Sequence, residues 1–432
     1  MSKPPFRVAI VGGGLGGLFC ALSLHHHVKH PLQIDVYEQA AQYREIGAGI
    51  GLGPNAAKLF HEVGLGERIN AISGDRAGVW ISFRRFDTGE DVITIPSIDK
   101  GAVRNVPMAR SELLDLLLDA IRERKAATLH TAKRCSKLSE PGADTVTLHF
   151  NDDTTATANL VIAADGIHSA VRSQFATDKP VYGGMIAYRG VIPISTLPDP
   201  WPFSSYSVAW MGKKRHFLIF PISANKSLNI VAFATKSEDE ITDTLESWTA
   251  TCPRSEVEKD FAGFEGTVQH IIAQMPDPAS KWRLNYREPL AEWVHMAGKV
   301  VLIGDASHSM MPHQGAGAGQ ATEDDYVLAR CLNEYLSQSS ESVNGKGKHA
   351  SLQEWMQIYQ NVRLPRAQKV ARTSKEAGEV YEMVTPDLVD KDFEDCLPIV
   401  KEKISTRMRW IWTEDIGEAF DKARQELQGS EL

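Results

Sequence analysis

The apolar residues at the start of the chain follow two different rhythms. Phe6–Val11 (FRVAIV) is a short run containing β-branched residues that stops at Gly12, Gly13 and Gly14. From Leu15 to about His27 the apolar positions Leu15, Leu18, Phe19 and Leu22 recur at helical spacing, and a second apolar run around Ile34 and Val36 ends at Glu38. Strand, glycine turn, helix and strand predict a right-handed βαβ unit of a parallel sheet. The same reading predicts a helix from Pro54 to Val63 closed by Gly64, strands within Val79–Ile95, and an amphipathic helix from Glu112 to about Arg124 capped by Ser111. Leu160–Ala164 and Val300–Ile303 read as buried parallel strands, each ending in an Asp–Gly or Gly–Asp pair. Val181–Phe233 is rich in β-branched and aromatic residues and predicts an antiparallel sheet with one covered face. The two kinds of segment alternate, which implies two domains interleaved in space. Ser337–Lys348 is polar and glycine-bearing and reads as a surface loop; the region beyond it reads as helical, with Pro365 a kink or break.

Composition narrows the function. The 432 residues carry 47 Lys+Arg against 55 Asp+Glu, a formal net charge of −8, which argues against nucleic acid as the main partner. No apolar run approaches the ~20 residues of a membrane span. The opening MSKPPFRVAIVGGG runs straight into a strand, so a secretory leader is not expected. Cys20, Cys135, Cys252, Cys331 and Cys396 are far apart and match no metal spacing, so reduced thiols, no metal and a cytoplasmic setting are expected.

Gly12, Gly14 and Gly17 satisfy G-x-G-x-x-G between strand and helix. The first glycine permits the turn, the second lets backbone approach a pyrophosphate, and the third allows close helix–strand packing. The helix N-terminus adds N–H groups and partial positive charge. Glu38, closing the next strand, is placed to accept from a ribose hydroxyl and would oppose a 2′-phosphate, so FAD or NAD is the expected ligand. The fold class is therefore α/β (α+β, two-domain): a Rossmann-like domain interleaved with an antiparallel-sheet substrate domain, plus C-terminal helices.

Two later segments decide between the dinucleotides. Ala163–Arg172 (AADGIHSAVR) and Gly304–Pro312 (GDASHSMMP) each follow a strand. With the first loop they resemble, in order, the three fingerprints of the aromatic-ring hydroxylases, single-component FAD monooxygenases sharing the 4-hydroxybenzoate hydroxylase fold. The resemblance covers nearly the whole chain and is tighter to salicylate hydroxylases in Gly47-Ala48-Gly49, Gly53–Ala56, Ala187–Gly190 and Met311–Gln320 (MPHQGAGAGQ). It implies FAD-binding parts at 1–75, 105–178 and 296–350, substrate-domain parts at 76–104 and 179–295, and a helical region at 351–432. It further implies FAD as cofactor and NAD(P)H as cosubstrate visiting a shallow site, since no second G-x-G-x-x-G exists. By the same resemblance Asp305 meets the flavin ribityl chain and Gly315 to Ala318 present amides to the flavin pyrimidine edge. Arg110 reaches the flavin side, Asp165 supports both cofactors, and Gly51 lies in the cofactor site.

The implied reaction needs an electrophilic oxygen carried by flavin and an electron-rich ring, and a base beside a ring hydroxyl accelerates it. His313 is the expected base, Arg189 the expected cation for a substrate carboxylate, and Tyr188 a lesser candidate beside it. The reading implied is oxidative decarboxylation of salicylate to catechol by O2 and NAD(P)H, in a monomer or homodimer. Alternatives are hydroxylation of 4-hydroxybenzoate or hydroxynicotinate, a secondary-metabolite hydroxylase or epoxidase, and a non-enzymatic binding protein akin to regulators of prenylated GTPases. His25-His26-His27 are read as imidazolium favouring a helix C-terminus, His308 as packing or support for the site, and Trp410 and Trp412 as core anchors.

Overall fold

The computed structural model describes residues 4–44, 49–74, 78–98, 101–140, 142, 144–241, 250–341 and 349–429. The run Phe6–Val11 is the centre of a six-stranded sheet. Leu160–Ala163 and then Val300–Leu302 pair parallel on one side of it, and Leu32–Tyr37 and then Thr128–His130 on the other; Val294–His295 closes an edge antiparallel. Ile10, Ile162 and Val301 are fully buried in a core shared with helix residues such as Leu18, Phe19 and Leu117 and with Val146, Leu148, Phe150 and Ala158 of a three-stranded antiparallel sheet. The register ends the central strands level: Val11 lies opposite both Ala163 and Tyr37, and Ala163 opposite Leu302. The turns at Gly12, Ala164 and Ile303 therefore leave the sheet along one edge, where the strand order reverses direction. Crevices at such switch points are where open α/β sheets bind ligands.

The second sheet has eight strands, with Val181–Pro193, Ser227–Thr235 and Arg215–Ile222 at its middle and Val79–Arg85 and Asp91–Pro96 at one edge. All its pairs are antiparallel except Val208–Gly212 with Val79–Arg85. The expectation of one covered face is corrected here, for both faces are buried in the central strands. Ile186, Tyr188, Phe217 and Ile230 pack on Val257, Phe261 and Ile271 from two helices; the opposite face packs on Met311 and on Ala377, Val380 and Tyr381. The strands of the two sheets do alternate along the sequence.

Three local expectations change. Ser111 does not cap its helix, which begins at Arg110 with Ala109 as N-cap. The helix Gly317–Glu341 runs through the first residues of the polar stretch, and 342–348 lie outside the described residues, as do Gly47 and Ala48. The helix Leu352–Tyr381 passes through Pro365 without a break. A three-stranded antiparallel sheet formed by Cys135–Ser139, Val146–Phe150 and Thr155–Ala158 had no counterpart in the sequence reading. The five cysteines are free and buried, and among the described residues no group of ligating side chains could hold a metal ion. No described helix is long and apolar enough to cross a membrane.

Candidate active site

A cavity of about 410 Å³ opens between the level ends of the parallel strands and one face of the second sheet. Its first part is made of backbone. Gly12 has φ +106°, and a Cβ there would lie 2.3 Å from the Ala164 carbonyl oxygen; a Cβ on Gly17 would lie 2.0 Å from the Gly12 carbonyl oxygen. Those two glycines are packing requirements. Gly14 differs: a Cβ on it would meet no atom within 4 Å, and it lines the cavity. The same open space fronts Gly166, Gly315 and Gly317, all on the cavity wall. Four glycines from three distant turns thus border one slot that side chains would fill. Gly51, Arg110, Asp305 and Ala318 line it as well. Glu38 stands beside the first loop, its carboxylate accepting from the backbone N–H of Gly13 at 2.8 Å and of Ala40 at 2.7 Å.

The first residues of the Gly317–Glu341 helix, Gly317, Ala318 and Gly319, line this slot, and buried charge holds the helix there. Arg363 donates to Asp324 Oδ1 at 2.8 Å and to Glu323 Oε2 at 2.5 Å, while Arg366 donates to Glu323 at 2.7 Å. His308 Nε2 lies 2.6 Å from Asp324 Oδ2, so it supports the turn from behind. The pair of arginines flanking Pro365 is thereby the clamp between the two long helices. Arg172 ties the middle turn to the last one, donating to the carbonyls of Ala306 and Ser307.

Glu38, Gly12 and Gly17 belong to or adjoin the first loop but are not on the cavity wall, and two further expected site residues stand elsewhere. Asp165 is not on the cavity wall, although its neighbours Ala164 and Gly166 are. Its Oδ2 accepts from the N–H groups of Ala170 and Val171 at 2.8 and 3.2 Å, so it caps the segment that follows, and burial raises its pKa. Tyr188 faces away because side chains on a strand alternate. Its neighbour Arg189 lines the cavity, whereas the Tyr188 hydroxyl lies on the far face, donating to Glu256 or Asp260 at 2.8 and 2.7 Å. The histidines at the end of the first helix are also corrected: burial and neighbouring cations lower all three pKa values, that of His27 to about 4, so they are neutral.

The second part of the cavity is lined by the sheet. In one row Phe233 stands opposite His216; in the next, Arg189 stands opposite Val231, and Val231 opposite Leu218. At about 4.8 Å per strand and about 3.3 Å per residue, Arg189 and His216, two strands and two residues apart, are separated by roughly 12 Å. His313 reaches over the Phe233 and His216 rings, with centroids at 4.9 and 5.4 Å, and is 8% exposed. Neither ring nitrogen of His313 has a hydrogen-bond partner. Burial, then the neighbouring His216, hold its pKa well below the usual value. Arg189 lays its guanidinium 3.7 Å from the centroid of Trp282, and its Nε has no partner. Burial and the nearby Arg110 lower its pKa, so an anion beside it offsets both effects. Trp80, Phe83, Tyr381 and Trp412 complete an aromatic wall, with Trp412 set edge-to-face on Trp80 at 5.1 Å.

His216 and the aromatic wall went unread in the sequence. A histidine at an alternate position of an apolar strand was the available signal for His216; Trp412 was read as core, and it both packs and lines the cavity.

A family model described as "FAD binding domain" matches residues 6–374. A salicylate hydroxylase of Pseudomonas putida is 33% identical, with 98% of this chain and 95% of that protein aligned. The chain belongs to the FAD-binding-domain family. Within it, a 6-hydroxynicotinate 3-monooxygenase of Bordetella bronchiseptica is 30% identical over 88% of this chain and 94% of that protein. A solved salicylate hydroxylase substrate complex matches with TM-score 0.80 and 29% identity, covering 98% of each chain. This flavoprotein is an FAD-dependent monooxygenase, and the residues present fit the cofactor. The four open glycines form a cradle of the kind a backbone-hugging dinucleotide needs, with the Gly317–Glu341 helix supplying amides and Asp305 a carboxylate.

Proposed function

We propose that this flavoprotein hydroxylates a small aromatic acid carrying a ring hydroxyl, that salicylate is the leading substrate, and that NAD(P)H is the reductant. The observation that carries the reading is Arg189: a guanidinium that makes no ion pair among the described residues, on the wall of a cavity that also presents His216 and His313 beside an aromatic lining. A buried cation without a counter-charge is costly, and an anionic ligand removes that cost. An aromatic carboxylate places its charge on Arg189 and its ring against the Phe83, Phe233 and Tyr381 wall. Relatives named for salicylate and for hydroxynicotinate support the same substrate class.

Gly14, Gly166, Asp305 and the 315–318 turn would hold the flavin, with Glu38 at its ribose and Arg110 on its flank. When bound and reduced, the flavin supplies the electrons that activate O2 for insertion into the ring. The chain's own residues do the rest. Arg189 anchors the carboxylate and orients the ring. His313, neutral and with both nitrogens unpaired, offers one donor and one acceptor to the oxygen substituents. The apolar wall of Trp80, Phe83, Met311 and Trp412 excludes water from the reacting ring. With salicylate, oxygen enters at the carbon bearing the carboxylate, and CO2 leaves to restore aromaticity.

The test is NADH oxidation and oxygen uptake across a panel of mono- and dihydroxybenzoates and hydroxynicotinates, with product scored against peroxide. Product from 2-hydroxybenzoate at the highest kcat/KM is expected. Efficient turnover only of uncharged rings would refute the reading.

A further inference from the structure

Arg189 owes its aim to a residue that does not itself line the cavity. It lies on the Val181–Pro193 strand, opposite Val231 on one side and Ser280 on the other. Trp282, next on the same face of the Ala279–Tyr286 strand, stands opposite Ala187 and is the diagonal neighbour of Arg189. Diagonal pairs on one face of an antiparallel sheet meet when one side chain is aromatic and the other long. Here they do: the guanidinium carbon of Arg189 is 3.7 Å from the centroid of the half-buried Trp282 ring. At that distance the two planes lie face to face, because an edge-on guanidinium would drive its nitrogens into the ring. The N–H groups lie in the guanidinium plane, so the stack turns them away from the indole and along the cavity wall. Two effects work against a cation at this place, burial and the nearby Arg110. Val231 and Ser280 carry no charge to oppose them, and Glu256, Asp260, Lys236 and Lys281 pair with one another and with Tyr188 on the far face. Indole is the side-chain ring that attracts a cation most strongly, and more so where water is excluded.

We propose that Trp282 is the positioning residue of the substrate anchor: stacked on Arg189, it holds the guanidinium edge toward the cavity before the aromatic carboxylate arrives. The carboxylate then meets donors already in place. Without the indole, Arg110 drives the side chain off the wall, and each binding event must first reorder a long, freely rotating chain. This deepens the proposed function and rests on its reading of Arg189 as the carboxylate anchor.

The test is a double-mutant cycle on the FAD-loaded protein, read by the change in flavin absorbance as salicylate or salicylamide is titrated. Salicylamide keeps the ring and the hydroxyl and replaces the carboxylate by a carboxamide. At a pH where both ring hydroxyls keep their protons, the ratio of the two dissociation constants reports the anchor alone. Wild type should prefer salicylate. W282L should weaken salicylate binding about tenfold and salicylamide binding less than about twofold, with FAD content unchanged. W282F, which keeps a weaker ring face, should lose only about threefold for salicylate. In an R189Q background W282L should have no further effect on either ligand, because the side chain it positions is gone. An equal loss for both ligands in W282L, or a loss that adds fully to that of R189Q, overturns the proposal and leaves Trp282 a packing residue of the sheet. If W282L does not fold, W282F decides by the same ratio, an unchanged preference for salicylate overturning the proposal. R189Q that keeps the wild-type preference would instead sink the anchor reading and the role of Trp282 with it. R189Q that abolishes the preference while W282L retains it sinks the Trp282 role alone.

Discussion

The cradle reading separates two glycines of one motif by their surroundings. Gly14→Ala places a methyl group where no protein atom lies within 4 Å, at a backbone φ of −72° that alanine adopts freely. Gly17→Ala places one 2.0 Å from the Gly12 carbonyl oxygen, with the Ile10 side chain at 3.2 Å. In the second case backbone must move, because the obstructing atom is itself part of the turn. Overpacking of that kind costs about 1–3 kcal/mol, and here the clash falls at the upper end. With about 2.1 cal/mol/K of unfolding entropy per residue, a 3 kcal/mol loss lowers the melting temperature by about 3 °C for this length. Gly14→Ala should leave the FAD-free protein within about 0.5 kcal/mol of wild type. It should lose a charged hydrogen bond's worth of FAD affinity, about 1.5–3 kcal/mol, or about 10- to 150-fold. Thermal melts of deflavinated protein, paired with FAD titrations followed by flavin fluorescence, measure both quantities. A Gly14→Ala variant that binds FAD like wild type, or a Gly17→Ala variant with an unchanged flavin-free melt, would refute the assignment of roles.

Other expectations are independent of that pair. Arg189→Gln should raise the KM for the aromatic acid by about 10-fold or more with flavin content unchanged, and should not destabilise the substrate-free protein; steady-state kinetics and melts check the two halves. Arg363→Met should cost about 3 kcal/mol, because buried Asp324 keeps only His308 and buried Glu323 only Arg366 as ion-pair partners among the described residues, and denaturant unfolding measures it. Asp325 is buried beside Asp324 and the Cys20 thiol, and burial followed by Asp324 pushes its pKa far up. A folded pKa above the unfolded one means that its stabilising contribution is present in acid and is lost as pH rises above the ordinary carboxylate range. Asp325→Asn should therefore be more stable than wild type at neutral pH, with the gain vanishing toward pH ~4; equal stability at both would contradict this.

The backbone part of the site was legible because glycine turns carry their geometry in the sequence. Phe6–Val11, Gly12–Gly17 and Leu15–His27 fall where the pattern places them, since only glycine fits a φ of +106° against the next strand's carbonyl. The side-chain part was less legible. Tyr188 and Arg189 are adjacent in sequence, yet the strand sends them to opposite faces, and nothing short of the sheet's orientation tells which face meets the cavity. Asp165 follows a buried strand as Asp305 does, but it turns back on its own backbone N–H groups. Glu382 lies 166 residues from His216, so the hydrogen bond between them is a product of the C-terminal helix folding over the sheet. The Ser337 region was read as loop from its polarity, although polar residues also suit the exposed end of a long helix.

The central claim is that one cavity couples reduced flavin to attack on an anchored aromatic acid. Simultaneous measurement of NADH consumed, O2 consumed and CO2 released from carboxyl-labelled salicylate by the FAD-loaded protein tests it most directly. The account predicts equimolar amounts of all three with catechol as product. NADH oxidation that salicylate leaves unaccelerated, with all of the oxygen recovered as hydrogen peroxide and no labelled CO2, would contradict it.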